Sequence, residues 1–189
     1  MIRIRSVAAA LLFISFANVA HTAPLRIASL NLCADELVLR LAAPGTVKSV
    51  TWLARDPGLS NVATLAQAVP VNRGLAEDVV PLAPDLVIAG AYTTRTAVAL
   101  LRRLRVPVLE IDVPRNVDEA LMQIETVAAA IGRPESGAQL VREIQDGLAS
   151  VRRATLTQAL PIAAIYQPNG LTIGRGSLVN DLLERAGLR

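Results

Sequence analysis

The chain has 189 residues, of which 52% are hydrophobic, 19% charged and only 3% aromatic, a balance that excludes disorder. Its length allows one ordinary domain or two small lobes, and its single cysteine excludes an intrachain disulfide and any multi-cysteine zinc site. A net charge of +3 is compatible with nucleic acid, but two of the arginines fall in the first five residues and stacking aromatics are scarce.

Arg3 and Arg5 open the chain, an apolar stretch runs from Val7 to Phe16, and small residues follow in Ala17-Asn18-Val19-Ala20-His21-Thr22-Ala23. This is the charged start, short apolar core and small-residue exit of a secretory signal peptide over residues 1–23, with Ala20 and Ala23 as alternative cleavage positions. As a helix the apolar stretch rises only about 15 Å, half a bilayer core, too short for a permanent span. Removing residues 1–23 takes Arg3, Arg5 and the only histidine, His21, and leaves 17 basic against 16 acidic residues. Such a chain has no electrostatic case for nucleic acid. Cys33 has a bulky Leu directly before it and lies well past the apolar core. It reads as a free, sheltered thiol rather than a lipid anchor, in a soluble periplasmic protein.

Arg26 to Leu32 reads as a strand, and Ala34 to Leu41 as a helix that Pro44-Gly45 breaks. Val47 to Trp52 is the next strand, and residues 54–63, with Asp56-Pro57-Gly58, form a loop. A short helix over Leu75–Leu82 precedes Pro84-Asp85 and the apolar strand Leu86–Ala89, which ends at Gly90. Thr94 to Leu104 is helical and Val106 to Ile111 a strand. Four strands with helical segments between them predict an α/β fold with a largely parallel sheet covered on both faces. Such sheets bind ligands beyond the carboxyl ends of their strands, which singles out the loops after Leu32, Trp52 and Ala89.

Asn116 with Glu119 three residues later resembles a capping box, opening a helix with Leu121, Ile124, Ala128 and Ile131 on one face and Gly132 at its end. Pro134 suits a first helical position, and Leu140, Ile144, Leu148 and Val151 stripe a second helix to Ala154. That helix spans about 30 Å, long enough to bridge two lobes. Ile162 to Tyr166 reads as a strand, Pro168-Asn169-Gly170 as a turn and Ser177 to Ala186 as a helix. One strand–helix unit cannot bury both faces of its strand. Ile162, Ile165, Leu178 and Leu182 are therefore expected to stay partly exposed, on a mobile tail from Pro161 onward.

Without His21 there is no base for a Ser-His-Asp or Cys-His site and no histidine metal ligand, so neither a catalytic nor a metal site is assigned. Asp35-Glu36 and Glu77-Asp78 are adjacent pairs whose members diverge on a helix, and they read as solvated faces or caps. Gly174-Arg175-Gly176-Ser177 lacks the Gly-Lys-Ser/Thr of a phosphate loop, which leaves Ser177 as an N-cap. Trp52, Tyr92 and Tyr166 all sit where a strand meets a loop. Three aromatics on one edge suit an apolar cleft for a bulky, flat ligand.

Three stretches resemble the periplasmic substrate-binding proteins of ABC importers for cobalamin and ferric siderophores. They are Arg26-Ile27-Ala28-Ser29-Leu30-Asn31, Val50-Thr51-Trp52-Leu53 followed by Asp56-Pro57, and the run from Gly74 through Glu77 to Pro84-Asp85-Leu86-Val87. The last is the most specific, and the resemblance covers almost all of residues 25–189. It implies a two-lobed fold with parallel-sheet lobes joined by a rigid helix. Residues 24–133 would form the N-terminal lobe, 134–155 the interlobe helix, and 156–189 the start of an incomplete C-terminal lobe. It also implies that Trp52, Leu53, Tyr92 and Tyr166 line the ligand and that Glu77 docks on arginines of the membrane permease. Leu53 and Val71 stand where cobalamin binders tend to carry aromatics. The expectation is thus a monomeric periplasmic protein, without cofactor, that delivers cobalamin or a ferric siderophore to an ABC permease at the inner membrane. The caged metal would need no protein ligand. The alternative is an exported α/β enzyme acting on a small molecule, for which Lys48, two tyrosines and the carboxylates are the available groups.

Overall fold

The computed structural model describes residues 24–155, 161–166 and 168–188; the expected signal segment, with Ala20 and Ala23, lies outside them. Five parallel strands form one sheet: β1 (Ile27–Ser29), β2 (Val47–Thr51), β3 (Val71–Asn72), β4 (Leu86–Gly90) and β5 (Val108–Ile111). Their order is β3-β2-β1-β4-β5, so the chain winds outward to one side, returns past β1 and continues on the other. Register is set by pairs such as Ile27 with Leu86, Val87 with Val108 and Val50 with Val71. Buried on both faces, β4 is an unbroken apolar run, as a central parallel strand must be.

Helices cover both faces. α1 (Leu32–Leu41) and α5 (Val117–Ala130) pack on one, around Ile27, Val38, Val50, Ile88, Leu121 and Val127. α3 (Ala76–Val79) and α4 (Arg95–Arg103) close the other around Leu30, Val79, Val87, Val98 and Leu101. α2 (Ala63–Ala66) is one short turn that begins where the expected loop over residues 54–63 ends. α6 (Pro134–Thr155) lies along α5, and Gly137 brings the two backbones close beside Ala128.

The start of the sheet is pinned by one bidentate pair. Arg26 Nε and Nη2 reach Asp85 Oδ2 and Oδ1 at 3.1 and 2.8 Å, and the Arg26 N–H also donates to Oδ2 at 2.8 Å. Fastened this way by Arg26, Asp85 has its pKa drawn down to about 2.

Three readings change. β3 is a fifth strand, too short for its alternation to show in sequence. The strand expected over Ile162–Tyr166 is not formed: its only pairing among the described residues is one antiparallel bridge from Tyr166 to Thr172, and Ile162 remains 79% exposed. With no neighbouring strand to hold its backbone, an apolar run does not become sheet. Finally, the segment beyond is not wholly loose. α7 (Leu178–Arg185) is capped by Ser177, whose Oγ accepts from Asn180 N–H at 3.2 Å, and Leu178 packs against the first core. Asp181 then accepts the Val117 N–H at 2.8 Å, placing a carboxylate at the amino end of α5.

Candidate functional site at the carboxyl edge of the sheet

The chain reverses its winding between β1 and β4, and the loops at their carboxyl ends meet there. After β1, Asn31 caps α1: its Oδ1 accepts from the N–H groups of Cys33 and Ala34 at 2.9 and 3.3 Å. Its Nδ2 faces Thr93 Oγ1 at 3.4 Å, across Gly90. A Cβ on Gly90 would come within 2.6 Å of Thr93 Oγ1 and 2.7 Å of Asn31 Nδ2, so only glycine lets the two loops close over β4.

The edge opens on either side of that seam. Beyond β2 and β3 lies a cleft of about 490 Å³ lined by Trp52, Val71, Asn72, Arg73 and Asp78. A second, of about 410 Å³, starts at Tyr92 and Arg95 beyond β4 and runs between α4 and β5 past Val98 and the ion pair of Arg102 with Glu110. Each cleft therefore joins an exposed aromatic to at least one arginine. β2 and β4 are two strand spacings apart, about 10 Å.

A buried polar network supports the first cleft. Asn72 Nδ2 donates to the Ser29 carbonyl at 2.8 Å and to Ser49 Oγ at 2.6 Å, while its Oδ1 accepts from Gly74 N–H at 2.9 Å. One side chain thus ties β1, β2 and β3 together and starts the turn into α3, where Gly74 has φ +78. Asp78 braces the same turn, accepting the Arg73 N–H at 2.8 Å. Asp35, on α1, is fully buried. It accepts from Thr51 N–H at 3.1 and 3.2 Å and from Thr51 Oγ1 at 2.5 Å. Burial pushes its pKa up, against the hydrogen bonds from Ser29 and Thr51 that favour the charged form.

Trp52 stands 55% exposed at the start of a single 3-10 turn over Trp52–Arg55, with Leu53 half-buried behind it. Arg55 anchors that turn, its guanidinium donating to the carbonyls of Ala66 and Val69 at 3.2 and 2.7 Å. Tyr92 is 72% exposed. Trp52 and Tyr92 thus share the edge but line different clefts. Tyr166 is 81% exposed on the bridge with Thr172 and lines neither. Glu77 is exposed in the first turn of α3, clear of the first cleft's lining.

Two sequence expectations are corrected here. Asp35 is not on a solvated face but inside the fold, because α1 docks with that residue toward the ends of β1 and β2. Cys33 is exposed rather than sheltered, because the strand stops at Ser29 and Cys33 falls on the outer side of the first turn of α1. The thiol's pKa is nevertheless raised, first by the partial desolvation it meets and then by the carboxylates of Glu36 and Asp35. Sequence reasoning missed Asn72, Arg73 and Arg95. Only the glycine two residues after Asn72 hinted at the first of them.

Among the described residues no cluster of three or more His, Cys, Asp or Glu side chains could hold a metal ion. Nor is any described helix long and apolar enough to cross a membrane.

The molecule is a doubly wound α/β lobe with two exposed aromatics, Trp52 and Tyr92, at the carboxyl edge of its sheet. The periplasmic binding protein family matches over residues 27–189, and the chain belongs to that family. It is 24% identical over 166 residues to a cobalamin-binding protein of Halobacterium salinarum, matching 87% of this chain and 45% of that one. Among solved structures it superposes on the periplasmic heme-binding protein HutB of Vibrio cholerae with TM-score 0.72 and 18% identity, covering 88% of this chain and 65% of the other. The heme-binding protein RhuT of Roseiflexus sp. RS-1 gives TM-score 0.68 and 24% identity, with coverages of 88% and 65%. The chain therefore spans about half the length of the curated relatives it matches and about two thirds of these solved structures. These relatives are binding proteins, and nothing among them supports an enzyme.

Proposed function

We propose that this chain belongs to the substrate-binding component of an ABC importer, working in the periplasm as a monomer after loss of residues 1–23. Its cargo would be a large, flat metal chelate: cobalamin, a ferric siderophore or heme. The observation that carries this reading is the pairing of exposed aromatics with arginines along one carboxyl edge, Trp52 beside Arg73 and Tyr92 beside Arg95. Exposed aromatics at a sheet edge are unfavourable unless something covers them, and a flat ring system does so over a large area. The heme- and cobalamin-binding relatives support the same class of cargo. Residues 24–133 form the first lobe in this reading, 134–155 the interlobe helix and 156–189 the start of the second. Trp52, Leu53 and Tyr92 form one wall, Tyr166 belongs to the facing wall, and Glu77 is the docking carboxylate for permease arginines.

Trp52 is the only tryptophan, so its fluorescence reports the first cleft directly. Titration of the full chain with hemin, cyanocobalamin and a ferric siderophore should give saturable quenching with one of them. The same titration of Trp52→Phe, followed calorimetrically, should show weaker binding. Absence of saturable quenching and of binding heat with all three would refute the reading.

A further inference from the structure

We propose that Asp35 is the positioning residue for Trp52, a buried carboxylate that sets the backbone from which the ligand-facing indole projects. The proposal rests on the assignment of Trp52 to the ligand wall, although its first test does not. Thr51 is the last residue of β2 and immediately precedes Trp52. Its hydroxyl makes no cap hydrogen bond to the 3-10 turn that follows and instead donates to Asp35 at 2.5 Å. Its N–H also donates to Asp35, nearly equidistant from the two carboxylate oxygens at 3.1 and 3.2 Å. On the other side β3 pairs Asn72 with Thr51 in parallel register, and Asn72 is itself fixed to β1 and β2. Thr51 is therefore clamped between α1 and β3, and Trp52 is the first residue beyond the clamp. A carboxylate suits this position because it accepts from both donors and carries no hydrogen of its own to orphan. Fixing the residue before an exposed aromatic limits the directions the ring can take before ligand arrives. That preorganisation lowers the entropy cost of binding.

The experiment compares Asp35→Ala, Asp35→Asn and Thr51→Val in the full chain, with Val38→Ala as a control. Val38 is buried on the same helix and has no contact with Thr51 in the hydrogen-bond network. The first readout is Trp52 fluorescence anisotropy without ligand, well below the melting temperature. The second is hemin affinity. Asp35→Ala should lower the anisotropy and weaken hemin binding about tenfold, the scale of ordering rotamer-rich groups anew on binding. Asp35→Asn, which can still accept the N–H and donate to the hydroxyl, should restore most of both. Thr51→Val removes the hydroxyl alone and should fall between; it carries the test if Asp35→Ala does not fold. Val38→Ala should lower stability and leave anisotropy unchanged. Wild-type anisotropy in folded Asp35→Ala, or in Thr51→Val if the alanine variant fails to fold, overturns the proposal. So does an equal fall in Val38→Ala. If hemin binds no variant, wild type included, the functional reading is refuted while the anisotropy series still decides the role of Asp35.

Discussion

Replacing Gly137 by alanine sets two effects of known size against each other. Gly137 is buried in α6, and a Cβ there would lie closer to the Ala128 Cβ than two carbons sit in real structures, with the Ile124 carbonyl oxygen at 3.6 Å and Glu125 Cα at 3.8 Å. Helix propensity favours the change by about 1 kcal/mol. Overpacking opposes it by about 1–3 kcal/mol, and the upper part of that range applies because a methyl fixed to a helix backbone cannot rotate away. Gly137→Ala should therefore destabilise by about 1–2 kcal/mol despite its better propensity. Ala128→Gly alone should cost about 1–2 kcal/mol through lost propensity and one lost buried methyl. The double variant exchanges the two propensities and moves the methyl from α5 to α6 within one interface. It should return to within about 0.5 kcal/mol of the parent, a coupling energy near 3 kcal/mol. Guanidinium denaturation of all four proteins, followed by circular dichroism with equal slopes, reads these numbers. Additive single effects, or a stabilised Gly137→Ala, would show that the two helices do not touch there and would refute the packing argument.

Gly90→Ala should destabilise by about 1–2 kcal/mol by crowding Thr93 and the Asn31 cap of α1, and the penalty should largely vanish in an Asn31→Gly/Thr93→Ala background, which removes both side chains that the new methyl would meet. Equal penalties in both backgrounds, measured by urea denaturation, would dissociate Gly90 from those two side chains. The Asp85 carboxyl should titrate with a midpoint near 2 when followed by carbon NMR. Because its folded pKa lies below the unfolded value of about 3.9, its contribution to stability is present above that value and is lost as pH falls through 2. Asp85→Asn should flatten that part of the acid-unfolding curve; an unchanged curve would assign the acid sensitivity elsewhere.

Local signals reached far in this chain. The capping pair Asn116 and Glu119 was legible because its chemistry spans one helical turn, and Asn116 Oδ1 does accept the Glu119 N–H at 2.8 Å. Glu119 itself turns back one residue earlier than the motif implies, to the Arg115 N–H at 2.8 Å. Pro84-Asp85 marked the entry of β4 because proline and a paired aspartate end a helix and start a strand within a few residues. The exposed edge residues Trp52 and Tyr92 were legible for the same reason, each following an apolar run that could only be a buried strand. The partners that hold these residues were not legible. Asn72 and Arg73 belong to a strand of two residues, below the length at which alternation has meaning. Asp35 reads as a surface acid beside Glu36, and only the docking of α1 turns one inward and leaves the other half-exposed and paired with Arg40.

By itself the sequence determined which segments are helix and which are strand through most of residues 24–155, and with them the parallel sheet and the edge where its loops gather. Those properties depend on contacts within a few residues and on right-handed crossovers that local chirality imposes. Tertiary structure alone decided that Ile162–Tyr166 is not sheet, that Asp35 is buried against Thr51, and that Asp181 meets the amino end of α5. Each of these depends on a group supplied from a distant part of the chain. Neither a strand's hydrogen bonds nor a buried carboxylate's partners can be satisfied by the residue's own neighbours in sequence.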